Sequence, residues 1–253
     1  MGSLLTAGIA LACQVGGLAV GQWIRGRLPE DHLRDDSRDV LKLASGVIAT
    51  LVALVIGLLV NSSKAAYDQA SMGATQIGAK VILLDRVLKR YGPETREIRQ
   101  GVVRGIATSI DRLWPRSRGA TPDLAAIEQV ASMDDVLERV ERIEPRDEAH
   151  RAMRAHALDL LGELAQARWL MIEQAQARLP TPFLAMLIFW LAVLFASLGL
   201  LAPRNATVRC GLLICAVSMA GAIDLILEMS HPLEGAIQIS PAPLHKALSI
   251  IGK

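Results

Sequence analysis

The placement of four long apolar runs constrains this chain more than any other feature. Leu4–Ile24 and Leu43–Ser62 lie near the N-terminus, and Pro182–Ala202 and Cys210–Met229 near the C-terminus. Each is about 20 residues, the length an α-helix needs to cross about 30 Å of hydrocarbon. Between the pairs lies a charged stretch of about 120 residues that a bilayer would reject. The chain is 52% hydrophobic and 21% charged, and the charges avoid the four runs, so the composition reflects segregation. The expected fold is all-α. Four transmembrane helices in a 2+2 arrangement enclose a helical extramembrane domain between spans two and three. The expected boundaries are 1–62 for spans one and two, 63–180 for the domain, 181–229 for spans three and four, and 230–253 for a tail.

Several other classes fall away. A net charge of +2 is too small to argue for nucleic acid. Cys13, Cys210 and Cys215 all sit in apolar runs, and no CxxC spacing exists, so neither a disulfide framework nor a zinc site is expected. The histidines, His32, His150, His156, His231 and His245, form no metal-binding spacing, and no nucleophile elbow, P-loop or dinucleotide fingerprint occurs. No enzyme activity and no cofactor are expected. The first run lacks the basic segment that opens a signal peptide, since no Lys or Arg precedes Arg25. Asn205-Ala206-Thr207 spells a glycosylation sequon, but in a very short turn between two spans.

Along the chain, span one is rich in small residues. Gly8, Ala12 and Gly16 recur at i+4, as do Gly17 and Gly21, a pattern that lets helix backbones approach closely in lipid. No strong breaker follows span two until Tyr91-Gly92-Pro93, so one helix is expected from the span through about Lys89, ended by a glycine cap. Helices are expected over Pro93–Trp114, over Pro122–Arg142 as one or a pair broken at Ser132, and from Pro145 to about Arg178. Pro115–Pro122 reads as a loop, and Leu179-Pro180-Thr181-Pro182 as a bend into span three. Loop charges favour cytoplasmic short loops, with both termini and the helical domain on the other side.

Span two carries the sharpest pattern. Gly46, Thr50, Ala53, Gly57, Asn61 and Lys64 recur at steps of three or four and share one helix face. As a pore lining, the small residues would leave room, Thr50 and Asn61 would offer hydrogen bonds, and Lys64 would make one mouth attractive to anions. The alternative is a close helix–helix seam within one subunit. Near the end of span four, Asp224 and Glu228 lie at i and i+4. An intramembrane carboxylate is costly unless paired, hydrated or protonated, which makes these residues candidates for a gate or an ion pair, with Lys64 as partner. Snorkelling or a structural pair would equally account for them. His231, adjoining Pro232, is a candidate pH-sensitive neighbour.

Three stretches carry a resemblance. The first is Leu28-Pro29-Glu30-Asp31-His32-Leu33 followed by Asp39-Val40-Leu41-Lys42-Leu43. The second is Leu83-Leu84-Asp85-Arg86 with Tyr91-Gly92-Pro93-Glu94-Thr95. The third is Ala202-Pro203-Arg204-Asn205-Ala206-Thr207, then Ile226-Leu227-Glu228, His231-Pro232-Leu233-Glu234-Gly235 and Ile237-Gln238-Ile239-Ser240. Together they resemble the bacterial bestrophin-like membrane proteins, a domain family of unassigned function. The chain departs from that pattern at Ser230 and His231, where members carry an acidic residue and an arginine. The resemblance implies similarity to bestrophins, homo-oligomeric anion channels with four spans per subunit, the second of which lines the pore. Bestrophins hold their helical domain in the cytosol, opposite to the loop-charge expectation, and their acidic calcium clasp has no counterpart here. The implied protein is a multi-pass protein of the bacterial inner membrane whose partners are lipid, other copies of itself and small anions. The competing expectation is a non-conducting scaffold or sensor that binds a partner through the helical domain.

Overall fold

The computed structural model describes residues 2–29, 35–114, 131–176, 181–203, 205–233 and 237–252. Among these residues the regular structure is entirely helical. The α-helices are α1 (Gly2–Arg25), α2 (Asp35–Tyr91), α3 (Arg96–Leu113), α4 (Ala131–Glu141), α5 (Glu148–Gln176), α6 (Thr181–Leu201), α7 (Ala206–Met229) and α8 (Ala242–Ile250). Four of them, α1, α2, α6 and α7, are long and apolar enough to cross a membrane. The loop expected at Pro115–Pro122, the beginning of the helix expected from Pro122, and the Leu179-Pro180 part of the bend lie outside the described residues. So do Arg34 and His32 in the first loop.

The chain divides into two compact units, residues 1–65 with 178–230, and residues 66–177 with 231–253. In the first unit, α1 packs most extensively against α6 and also against α7. Glycine permits that approach. A Cβ on Gly17 would overlap the Ala192 carbonyl, one on Gly21 the Ala196 carbonyl, and one on Gly199 the Leu18 carbonyl. Without side chains between them the backbones come into van der Waals range, the main attraction open to helices in lipid. Ala10, Val52, Leu187, Leu191, Ile223 and Leu227 form the apolar centre of this bundle. At one end, the Arg25 guanidinium donates to the Leu201 and Ala202 carbonyls, which satisfies the last turn of α6 and places a cation at its negative pole. Arg27 lies 3.8 Å over the Trp23 ring, an aromatic-cation pair suited to a membrane boundary. Asn205 of the sequon caps α7, its side chain accepting from the Val208 N–H at 2.9 Å.

The second unit is built on the C-terminal part of α2. Val81, Leu84 and Leu88 recur at steps of three or four and pack with Ile98, Val102 and Ile106 of α3 and Leu160, Leu161 and Leu164 of α5. Gly92 ends α2 with φ +142°, a conformation that suits glycine. The Thr95 hydroxyl donates to the Leu88 carbonyl, 2.5 Å away, and thereby satisfies one of the last acceptors of α2. Arg99 holds Asp85 through two hydrogen bonds, 2.8 and 3.1 Å, in a largely buried pair. The segment expected to be a tail is part of this core, since Leu233, Ile239, Leu244, Ala247 and Ile251 are buried in it. The Trp114 indole N–H donates to the Ile239 carbonyl at 2.8 Å.

Candidate functional site

In the first unit, α2 has one packed side and one bare side. Ser45, Val52 and Ser63 are buried. At 100° per residue they fall within about 20° of one another. Gly46, Thr50, Ala53, Gly57, Asn61 and Lys64 are all exposed. They centre about 120° round the helix from that packed side. The bare side continues into a second sector of exposed bulky groups, Val47, Leu51, Leu54 and Leu58. The six candidate residues are therefore not a seam within one subunit. A Cβ added at Gly46 or Gly57 would meet nothing within 4 Å, in contrast to the backbone overlap at Gly17, Gly21 and Gly199. The glycines that meet another backbone in this unit are in α1 and α6, whereas Gly46 and Gly57 of α2 front open space.

The polar groups of this face differ in what they offer. The Thr50 hydroxyl donates to the Gly46 carbonyl at 2.9 Å, so its proton is committed to the helix backbone and its oxygen presents lone pairs. Asn61 and Lys64 are exposed one helical turn apart. An amide can donate as well as accept, and an ammonium only donates, so donor character concentrates toward Lys64.

The carboxylates of α7 have identifiable surroundings. The Ser3 hydroxyl donates to Glu228 at 2.6 Å, joining the start of α1 to the end of α7. Asp224 is half-buried, and its Oδ1 is enclosed without a hydrogen-bond partner. Ser230 is buried and its hydroxyl lies 3.0 Å from that of Ser63 on α2, while also donating to the Ile226 carbonyl at 2.7 Å. A neutral hydroxyl pair thus occupies the position where the family resemblance anticipates an acidic side chain. His231 is half-buried and belongs to the second unit. Among the described residues no group of three or more His, Cys, Asp or Glu side chains is arranged to hold a metal ion.

The sequence reading missed Gln14. It is fully buried on α1, and neither end of its amide has a hydrogen-bond partner. Its place in the series Ala7, Ala10, Gln14, Leu18 and Gly21, the buried side of α1, was the available signal. The Ser63–Ser230 pair was also missed, because residues 167 positions apart give no local pattern.

An all-helical chain with four membrane-length apolar helices and a separately packed helical unit is a multi-pass membrane protein. Residues 12–244 match the Bestrophin-like domain, and the chain belongs to that family. Its fold is similar to two crystal structures of point mutants of a bacterial Bestrophin homolog from Klebsiella pneumoniae. One superposes with a TM-score of 0.62 at 13% identity and the other with 0.63 at 12%, each comparison covering 99% of this chain and 97% of the other. None of the curated proteins compared with the chain matches it.

Proposed function

We propose that the protein is a homo-oligomeric channel of the bacterial inner membrane that conducts small anions along the exposed face of α2. The observation that carries this reading is the position of the Gly46–Lys64 stripe on the outside of the subunit, with open space at Gly46 and Gly57. Lipid is a poor neighbour for that face. An Asn61 amide against hydrocarbon would lose its hydrogen bonds, a loss of several kcal/mol. Water in a path, or another copy of the chain, restores them. The bulky sector of Val47, Leu51, Leu54 and Leu58 beside the stripe suits contact with a neighbouring copy or with acyl chains, which leaves the small residues to the path. Similarity to bacterial Bestrophin homologues supports the same assignment at the level of fold.

Halide flux into proteoliposomes tests the reading with Gly57→Leu, Thr50→Leu and Lys64→Glu. Gly57→Leu is the sharpest variant, because the isolated subunit has room for the side chain. Conduction predicts that Gly57→Leu and Thr50→Leu reduce flux with oligomer size unchanged, and that Lys64→Glu lowers preference for anions. Absence of flux from reconstituted oligomers, across pH and calcium conditions, would replace the channel by the scaffold or sensor.

A further inference from the structure

The second unit gathers its exposed apolar groups on two neighbouring helices. Met72 and Leu83 of α2 and Trp169 and Leu170 of α5 are each about half exposed. The other large apolar side chains exposed in this unit among the described residues, Leu137 and Ile250, stand apart on α4 and α8. The same two helices carry charges without a partner. Arg86 and Arg90 are exposed on α2, and Asp159 and Glu173 on α5, and none of the four forms an ion pair among the described residues. On α2, Met72, Leu83, Arg86 and Arg90 fall within about 60° of one another. On α5, Asp159, Trp169, Leu170 and Glu173 fall within about 100°. A cationic face with apolar groups therefore lies beside an anionic one.

Two contacts fix the register of these helices. Lys80 pairs with Glu163 at 3.3 Å, and Met72 lines one groove with Leu170, so α2 and α5 run antiparallel. Arg86 lies six residues beyond Lys80, about 9 Å along the axis, and Asp159 lies four residues before Glu163, about 6 Å toward the same end. The two are at nearly the same height. They do not pair within one copy, because Arg86 projects about 120° round α2 from Lys80. We infer that copies of this chain assemble through these faces, the α2 face of one against the α5 face of the next. A rotation about an axis parallel to α2 leaves heights unchanged, so it sets Arg86 of one copy against Asp159 of the next, and Met72 against Trp169 and Leu170. Exposed apolar groups then leave water, and unpaired charges of opposite sign meet. A second copy brings these groups at the required heights by construction, whereas an unrelated partner would have to match each of them. The inference rests on the homo-oligomeric reading above and names the surface that joins the copies.

Light scattering of the purified full chain in detergent, over a dilution series, tests the inference by charge reversal. Arg86→Asp and Asp159→Arg should each raise the concentration at which the oligomer dissociates by about tenfold or more, since each sets like charges face to face. The double variant, Arg86→Asp with Asp159→Arg, should recover the native value, because the pair is restored with its signs exchanged. Circular dichroism of each variant separates loss of the interface from loss of the fold. Single variants that dissociate like the native chain would overturn the inference and leave the homo-oligomeric reading standing. A folded double variant no better assembled than the single ones would also overturn it. A native chain that is monomeric at every concentration would overturn both, and would leave the two faces to a different protein.

Discussion

Replacing Gln14 by methionine should stabilise the protein. The side chain is fully buried in α1, and its Oε1 and Nε2 both lack hydrogen-bond partners. Each unsatisfied group costs about 1–3 kcal/mol relative to its solvated or paired state. Methionine has nearly the same length and shape and adapts readily to a packed site, so it removes both penalties without opening a cavity. The net gain expected is about 2 kcal/mol or more, which for a chain of this size raises the melting temperature by about 4–8 °C. The assay is thermal unfolding in one detergent, followed by circular dichroism, with Gln14→Leu as a second variant to separate polarity from shape. A fall in melting temperature for both variants would refute the reasoning. It would mean that the amide is satisfied in the bundle, with a bridging water as the simplest partner.

Further outcomes follow from the same packing. Gly21→Val should disrupt the contact between α1 and α6 and reduce the yield of folded protein, whereas Gly57→Val, fronting open space, should leave melting unchanged within about 0.5 kcal/mol. Asp85→Ala should destabilise the second unit by about 1–3 kcal/mol, because it removes the two hydrogen bonds that Asp85 accepts from the largely buried Arg99, and chemical denaturation followed by tryptophan fluorescence would detect it. Hydrogen bonds from the backbone and ring of His150 hold the Asp147 carboxyl below its ordinary pKa. The stability from that contact is fully present above the unfolded carboxyl value and is lost as pH falls through the lower folded value. The difference in melting temperature between native protein and Asp147→Ala should therefore vanish in strong acid.

The spans were legible because lipid imposes a simple rule of about 20 apolar residues, which the four runs obey. The long α2 was legible for a related reason: nothing between Ser63 and Arg90 breaks a helix strongly, and Gly92 stops it. The roles of the glycines were not legible. Gly17 and Gly21 of α1 share the i+4 spacing of Gly8, Ala12 and Gly16, yet of these glycines only Gly17 and Gly21 meet another backbone. Spacing marks a face, and the neighbour of that face is set by tertiary packing. For the same reason the stripe on α2 read as seam or lining from its spacing, and burial places Val52 and Ser63 inside the subunit and Gly57 and Asn61 outside it. The second core's use of Leu244, Ala247 and Ile251 was half-visible as an apolar face, but its destination depended on contacts more than a hundred residues away in sequence.

The two ends of the candidate path bear on what it would carry. Lys42 and Lys64 both lie on the exposed side of α2, one near each end of the span. Their separation is about 33 Å along the helix axis at 1.5 Å per residue, slightly more than a hydrocarbon core. Each lysine can therefore reach headgroup depth while Gly46, Thr50, Ala53 and Gly57 cross the apolar layer without a formal charge. Lys42 is held at 2.8 Å by Asp39, so its field is partly cancelled. At the opposite end Glu228 accepts from the Ser3 hydroxyl and Asp224 has its Oδ1 enclosed. Lys64→Glu and Lys42→Glu should each lower the preference for anions, and no change with either would argue that the stripe does not carry the ion.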